Sequence, residues 1–371
     1  MAIKVSSRNN GDFAGLIQEI DQPNVKSVIY FYSVELEPLQ PQKAIKDAFP
    51  KAQCIGASMI GGWNTNGAVA RGITAMSLSS DEVDQVFTVI KEGVKDDPRG
   101  AARKAIEDLK RSLAGQRVTP DEYLGIIVFD GLCLGEEIIR EFTMEKGLTI
   151  PMIGGAAADE LEFKRTLVSL NEKMSGDGVA VMVMKMKIPF FFNHYVHYIP
   201  TNTSFLITRA EPAKRIVWEI DGKPAAPYYA NILGLKGAEE IQHSHFAKNP
   251  LGVVIGETVY TRSPNAVIDG TGLQFYCYIE AGTKVHLLKQ GDLLKNSRNA
   301  LDEAREYLPD IQGALLFNCI LRYLEMQEYK TVDAFNDVFK PLSFIGFNTF
   351  GEELFTHHNQ TLTAVFFGGQ Q

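Results

Sequence analysis

Cysteine is scarce in this 371-residue chain: Cys54, Cys133, Cys277 and Cys319 lie far apart and no CxxC pair occurs. A disulfide framework or zinc knuckle is thereby excluded, and reduced thiols in a cytoplasmic protein are expected. A basic excess is missing too. Lys and Arg number 37 against 45 Asp and Glu, a net charge of −8, the wrong sign for general affinity to nucleic acid or anionic lipid. The most apolar stretch, residues 179–192, is broken by Lys185, Lys187 and Pro189, short of the ~20 residues that span a bilayer. The first ten residues lack the apolar core of a secretion signal. No GxGxxG follows a strand and opens a helix, which argues against a dinucleotide fold. A composition of 45% hydrophobic and 22% charged residues is that of a folded globular chain, and the length suits two to three domains.

Short apolar runs alternate with amphipathic segments, the pattern of an α/β protein. Strands are predicted over residues 28–32, 53–57 and 72–78, with a helix over 40–49. A longer helix follows, capped by Asp97, opened by Pro98, striped by Ala102, Ala105, Ile106, Leu109 and Leu113, and stopped by Gly115. The order then recurs: strand 125–129, a helix ending near Gly147, strand 152–156 and strand 178–184. It recurs again over residues 314–317, 345–348 and 362–367. An Ile-Gly pair marks each copy, at Ile55-Gly56, Ile153-Gly154 and Ile345-Gly346. These pairs are predicted to be bends at strand ends. The expected fold is α/β, with two closely packed mixed-sheet domains built from repeated βαββ-like units. A different region intervenes, with strand-like residues 190–207 and 273–288, a turn at residues 221–224 and a helix over 297–308.

Three ordered C-terminal segments carry a resemblance. They are Phe317-Asn318-Cys319-Ile320-Leu321-Arg322, Gly346-Phe347-Asn348-Thr349-Phe350-Gly351-Glu352 and His358-Asn359-Gln360-Thr361. With the junction-like stretch 216–229 and the turns at 54–58 and 151–155, they resemble the FIST (F-box and intracellular signal transduction) sensory proteins. Two departures are Gln360, where a second His is common, and the lack of a glycine in residues 201–206. The resemblance implies an N-terminal FIST domain over residues 25–220 and a C-terminal one over 221–367. It implies a small-ligand sensor, for amino acids or similar polar compounds, coupled to a separate signalling protein such as a histidine kinase, diguanylate cyclase or chemoreceptor. A subset of the family binds haem and senses nitric oxide, so haem is the cofactor to consider. No output motif is present in the chain itself.

Among the candidate ligand-binding residues, Arg322 offers a planar fork for a carboxylate and Glu352 an acceptor for an ammonium; a structural ion pair is the competing account. Asn359 and Thr361 can add hydrogen bonds or simply form a turn. Cys319 opens a predicted helix, where a thiol pKa falls, and with His358 it would resemble a nucleophilic couple for acyl transfer or hydrolysis. Packing is the favoured role, and the chain is expected not to be an enzyme. His243 and His245 would share one face of a strand, and His194 and His197 would not. Neither pair has the further ligand that zinc requires, and no metal is expected.

Overall fold

The computed structural model describes residues 3–145 and 148–369. By contacts it divides into two compact units. One comprises the described parts of Met1–Tyr195, Ser297–His357 and Leu362–Gln371; the other comprises Val196–Asn296 and His358–Thr361. The last third of the sequence returns to the first unit.

The first unit is built from three repeats of one pattern. Repeat one runs β1 (Lys4–Asn9), α1 (Phe13–Ile20), β2 (Val25–Ser33), α2 (Pro41–Ala48), β3 (Gln53–Met59), β4 (Gly62–Asn64), β5 (Gly67–Val69) and β6 (Gly72–Ser79). Repeat two runs β7 (Val83–Glu92), α3 (Pro98–Ser112), β8 (Tyr123–Phe129), α4 (Gly135–Met144), β9 (Met152–Ala156), β10 (Val168–Leu170), β11 (Lys173–Ser175) and β12 (Gly178–Met186). The helix end expected near Gly147 falls outside the described residues.

Repeat three starts with β13 (Phe190–Val196) and is then interrupted by the second unit. That unit carries β14 (Ile199–Glu211), β15 (Ile216–Ile220), β16 (Lys223–Pro224), α5 (Ala225–Ile232), α6 (His243–Lys248), β17 (Leu251–Ile255), β18 (Thr258–Arg262), β19 (Pro264–Ile268), β20 (Gly272–Phe275) and β21 (Lys284–Lys289). Its own core gathers Phe205, Val217, Tyr229, Phe246, Leu273 and Val285. Repeat three then resumes with α7 (Leu293–Tyr307), β22 (Ile311–Cys319), α8 (Ile320–Glu328), α9 (Val332–Phe339), β23 (Ser343–Thr349), β24 (Glu352–Leu354), β25 (Thr356–His358) and β26 (Thr361–Gly368).

Each repeat makes a six-stranded sheet, and each sheet borrows its last two strands from another repeat. The orders are β1-β6-β2-β3-β10-β11, β7-β12-β8-β9-β24-β25 and β13-β26-β22-β23-β4-β5. In every sheet the central pair is parallel: β2 with β3, β8 with β9, β22 with β23. Repeat one thus lends its hairpin to three, three to two, and two to one. The same backbone bond recurs at each transfer: Asn348 N–H to the Gly61 carbonyl, Ser58 N–H to Leu167, Ala156 N–H to Gly351. The exchange ties each sheet by backbone hydrogen bonds to a strand pair of another repeat.

Period-two alternation explains the layers. On β2, Ile29 and Phe31 point into a shared core that also takes Ile126, Val128, Leu315 and Phe317 from the other two sheets. Val28, Tyr30 and Tyr32 point outward under α1 and α2, onto Leu16, Ile20 and Ile45. The helix predicted from Asp97 is present as expected: the Asp97 carboxylate accepts the Gly100 N–H, Pro98 opens the first turn, and the Ala102, Ala105, Ile106 and Leu109 stripe is buried.

The three Ile-Gly pairs occupy equivalent places, and they are not bends. Gly56, Gly154 and Gly346 lie inside β3, β9 and β23, opposite Tyr30, Ile127 and Leu316, and none has a positive φ. Close approach is the reason for glycine. A Cβ on Gly154 would sit 1.7 Å from the Ile127 carbonyl oxygen, and one on Gly56 would sit 2.4 Å from the Tyr30 ring. His243 and His245 lie on helix α6 rather than on a strand, where the His245 Nδ1 accepts the Gln242 N–H. Among the described residues no helix is long and apolar enough to cross a membrane.

Candidate functional site

Parallel strands point their carboxyl ends the same way, and ligands of such sheets usually lie there. The third repeat gathers its polar residues at this end. β22 finishes at Cys319, which is also the N-cap of α8, and β23 finishes at Thr349 directly opposite. Arg322 leaves the first turn of α8 and Glu352 follows the end of β23 by three residues; both are fully buried.

A chain of hydrogen bonds holds this end. The Arg322 Nε donates to Asn318 Oδ1 at 2.9 Å, and its Nη2 donates to Ser297 Oγ of α7 at 3.1 Å. The Asn318 amide donates to Asn348 Oδ1 at 3.0 Å. The Asn348 amide in turn donates to the carbonyls of Ile60 and Gly61, at 2.8 and 3.2 Å. Those carbonyls belong to the approach to β4, the hairpin lent by repeat one. Guanidinium position and hairpin exchange are therefore joined by one line of bonds. The Thr349 hydroxyl donates to Glu352 Oε1 at 2.6 Å. Glu352 sits across from Gly155 on β9, where a Cβ would meet Thr349 at 2.6 Å, so glycine at 155 makes room for the turn that carries the carboxyl. The next residue, Glu353, pairs through Oε1 with His357 Nδ1 at 2.6 Å, with both groups buried.

The six candidate residues fall into two sets. Cys319, Arg322 and Glu352 lie in the first compact unit; His358, Asn359 and Thr361 lie in the second. His358 stacks on Tyr260, with ring centroids 5.7 Å apart and planes at 19°. The Thr361 hydroxyl donates to the Asn359 carbonyl at 2.8 Å, the local bond of a turn before β26. Gln360 holds that turn in the left-handed region, φ 53°, and bonds Ser263, Tyr198 and the Ala247 carbonyl. Cys319 is buried, and the positions that match it at the ends of β2 and β8 are Ser33 and Asp130. Ser33 Oγ accepts the Gly72 N–H. Asp130 is fully buried, accepts the Thr166 hydroxyl and meets Lys95 Nζ at 3.1 Å. Beyond β9, burial is the main force raising the Glu160 carboxyl above its ordinary pKa, with Arg71 opposing it.

Three residues of this chain of bonds, Asn318, Asn348 and Ser297, are not among the candidates that the sequence suggests. Both asparagines sit inside the quoted motifs, and their matching register on adjacent strands was the available signal. Ser297 carries none, because its bond to Arg322 joins residues 25 apart in sequence. Among the described residues, no group of three or more His, Cys, Asp or Glu side chains is arranged to hold a metal ion.

The model of the FIST N domain matches residues 26–223, and that of the FIST C domain matches residues 225–354. An uncharacterised protein of Methanocaldococcus jannaschii is 27% identical over 209 residues, covering 53% of this chain and 40% of the relative. The chain thus spans well under two thirds of the curated relative that it matches.

Proposed function

Because the chain belongs to the FIST family, whose domains are sensory domains of signal transduction, we propose that it binds a small polar ligand at the ends of β22 and β23. An amino acid or similar compound is the ligand class, and the protein acts in the cytoplasm as a binding protein rather than an enzyme. The observation that carries this is the pair of wholly buried charged side chains, Arg322 and Glu352, at neighbouring strand ends. A guanidinium fork matches a carboxylate in two hydrogen bonds, and a carboxylate holds an ammonium. Asn318 and Asn348 fix the guanidinium's direction before the ligand arrives. Neither charge is exposed, so entry requires the first turn of α8 to open, and binding becomes one event with a shape change. A separate signalling protein, of the histidine kinase, diguanylate cyclase or chemoreceptor kind, reads that change.

Thermal-shift and calorimetric titration against amino acids and organic acids tests the proposal. At least one compound should stabilise the native chain and lose affinity in Arg322→Lys, which keeps the charge and loses the fork. Absence of any hit, or a hit that Arg322→Lys binds unchanged, refutes it.

A further inference from the structure

The first repeat holds a cleft of about 560 Å³ that the third repeat does not leave open. It lies between the start of α2 and the β10/β11 hairpin, lined by Glu37, Gln42, Lys43, Arg165, Glu172 and Met174, among others. Comparison of equivalent positions explains it. In the third sheet the borrowed hairpin brings Trp63 opposite Gly346, and the indole packs on Tyr323 and on Phe335 of α9. In the first sheet the residue opposite Gly56 is the small Ser169, which bonds the Tyr30 hydroxyl at 2.6 Å. Between β2 and β3 a 3₁₀ turn, Val34–Leu39, stands where the third repeat has α8, and α2 takes the place of α9, so one helix fewer lies beside the hairpin.

The lining is charged in a particular way. Glu37 and Arg165 neutralise each other at 3.0 Å. Lys43 and Glu172 are exposed and make no ion pair among the described residues. Gln42 Oε1 is buried without a hydrogen-bond partner. A buried acceptor left unmatched calls for a donor from outside the chain. The cleft therefore offers one uncommitted cation, one uncommitted anion and one buried acceptor, in a volume typical of small-molecule sites.

We propose that this cleft is a second ligand site, for a small zwitterion carrying both an ammonium and a carboxylate. Lys43 takes the carboxylate; Glu172 and the Gln42 carbonyl take the ammonium. The site does not depend on Arg322 or on the reading of the third repeat.

The test is methyl-detected NMR of chain labelled at methionine, titrated with glycylglycine, N-acetylglycylglycine and glycylglycinamide. Met174 reports on the cleft, and buried Met326 of α8 reports on the third repeat. Glycylglycine should shift Met174, and each capped peptide should bind about tenfold more weakly, a loss of ~1.4 kcal/mol. Glu172→Gln should abolish discrimination against the acetylated peptide, and Lys43→Gln discrimination against the amide; both positions are exposed, so folding is retained. An unmoved Met174 overturns the proposal, as does a shift that neither variant alters. Movement of Met326 alone would leave the third-repeat reading standing and remove this one.

Discussion

Trp63 is the sharpest probe of the exchanged hairpins. It belongs by sequence to repeat one and by packing to repeat three, fully buried with ring centroids 5.9 Å from Tyr323 and 5.0 Å from Phe335. Burying about 200 Å² of indole is worth about 5 kcal/mol at 25 cal/mol per Å². Trp63→Ala should therefore cost about 3–5 kcal/mol, the usual range for such truncations. That is a large part of the ~5–15 kcal/mol by which folded proteins are stable. Trp63→Phe is the milder variant; it keeps most of the area and removes an indole N–H that has no hydrogen-bond partner, so it should cost less. Urea unfolding measures the loss, and hydrogen exchange shows where it is felt. Protection should fall in β23, which pairs with β4, more than in β3 of the parent repeat. Loss confined to residues 53–79, with β23 unchanged, would refute the exchange.

Further outcomes follow from local geometry. Gly154→Ala drives a Cβ to 1.7 Å from the Ile127 carbonyl and should destabilise by about 1–3 kcal/mol or more, as overpacking does; unfolding midpoints of Gly154→Ala and Gly93→Ala, whose Cβ meets nothing within 4 Å, separate crowding from backbone strain at a positive φ. The Glu19 carboxyl is lowered to about 2 by its hydrogen bonds with Arg8 and then Ser6. Its folded value lies below the unfolded one, so its support is present above pH 4.5 and fades as pH falls towards 2; carbon-detected NMR should show Arg8→Ala returning it towards the ordinary value. Burial pushes the Cys54 thiol up to about 12, with Lys46 opposing. Above the unfolded value near 9 the unfolded chain holds fewer protons, so stability falls as pH rises from 9 to 12. Alkylation of Cys54 at pH 8 should follow unfolding rather than precede it, as mass-spectrometric labelling under graded urea would show.

The repeated order of elements was readable because it is local: strand, helix and Ile-Gly strand recur with the same periodicities, and the Asp97-Pro98 start and the alanine stripe of α3 are one-helix signals. Two features were not readable. The Ile-Gly pairs look like turns because glycine usually marks one, yet here the cause is a neighbouring strand's carbonyl or ring, which sequence does not reveal. The hairpin exchange was likewise invisible: β4, β10 and β24 are three residues each, too short for a periodic signal, and their partners lie in other repeats. At the candidate site, Arg322 and Glu352 lie in motifs that the sequence displays, whereas the Asn318–Asn348 line requires β22 and β23 in register.

Hydrogen exchange of the native chain, with and without the amino acid or organic acid that stabilises it best, tests the proposed ligand site most directly. The account expects protection to rise over residues 318–323 and 348–352, at the ends of β22 and β23 and the first turn of α8. Stabilisation with no change in those two segments would contradict it.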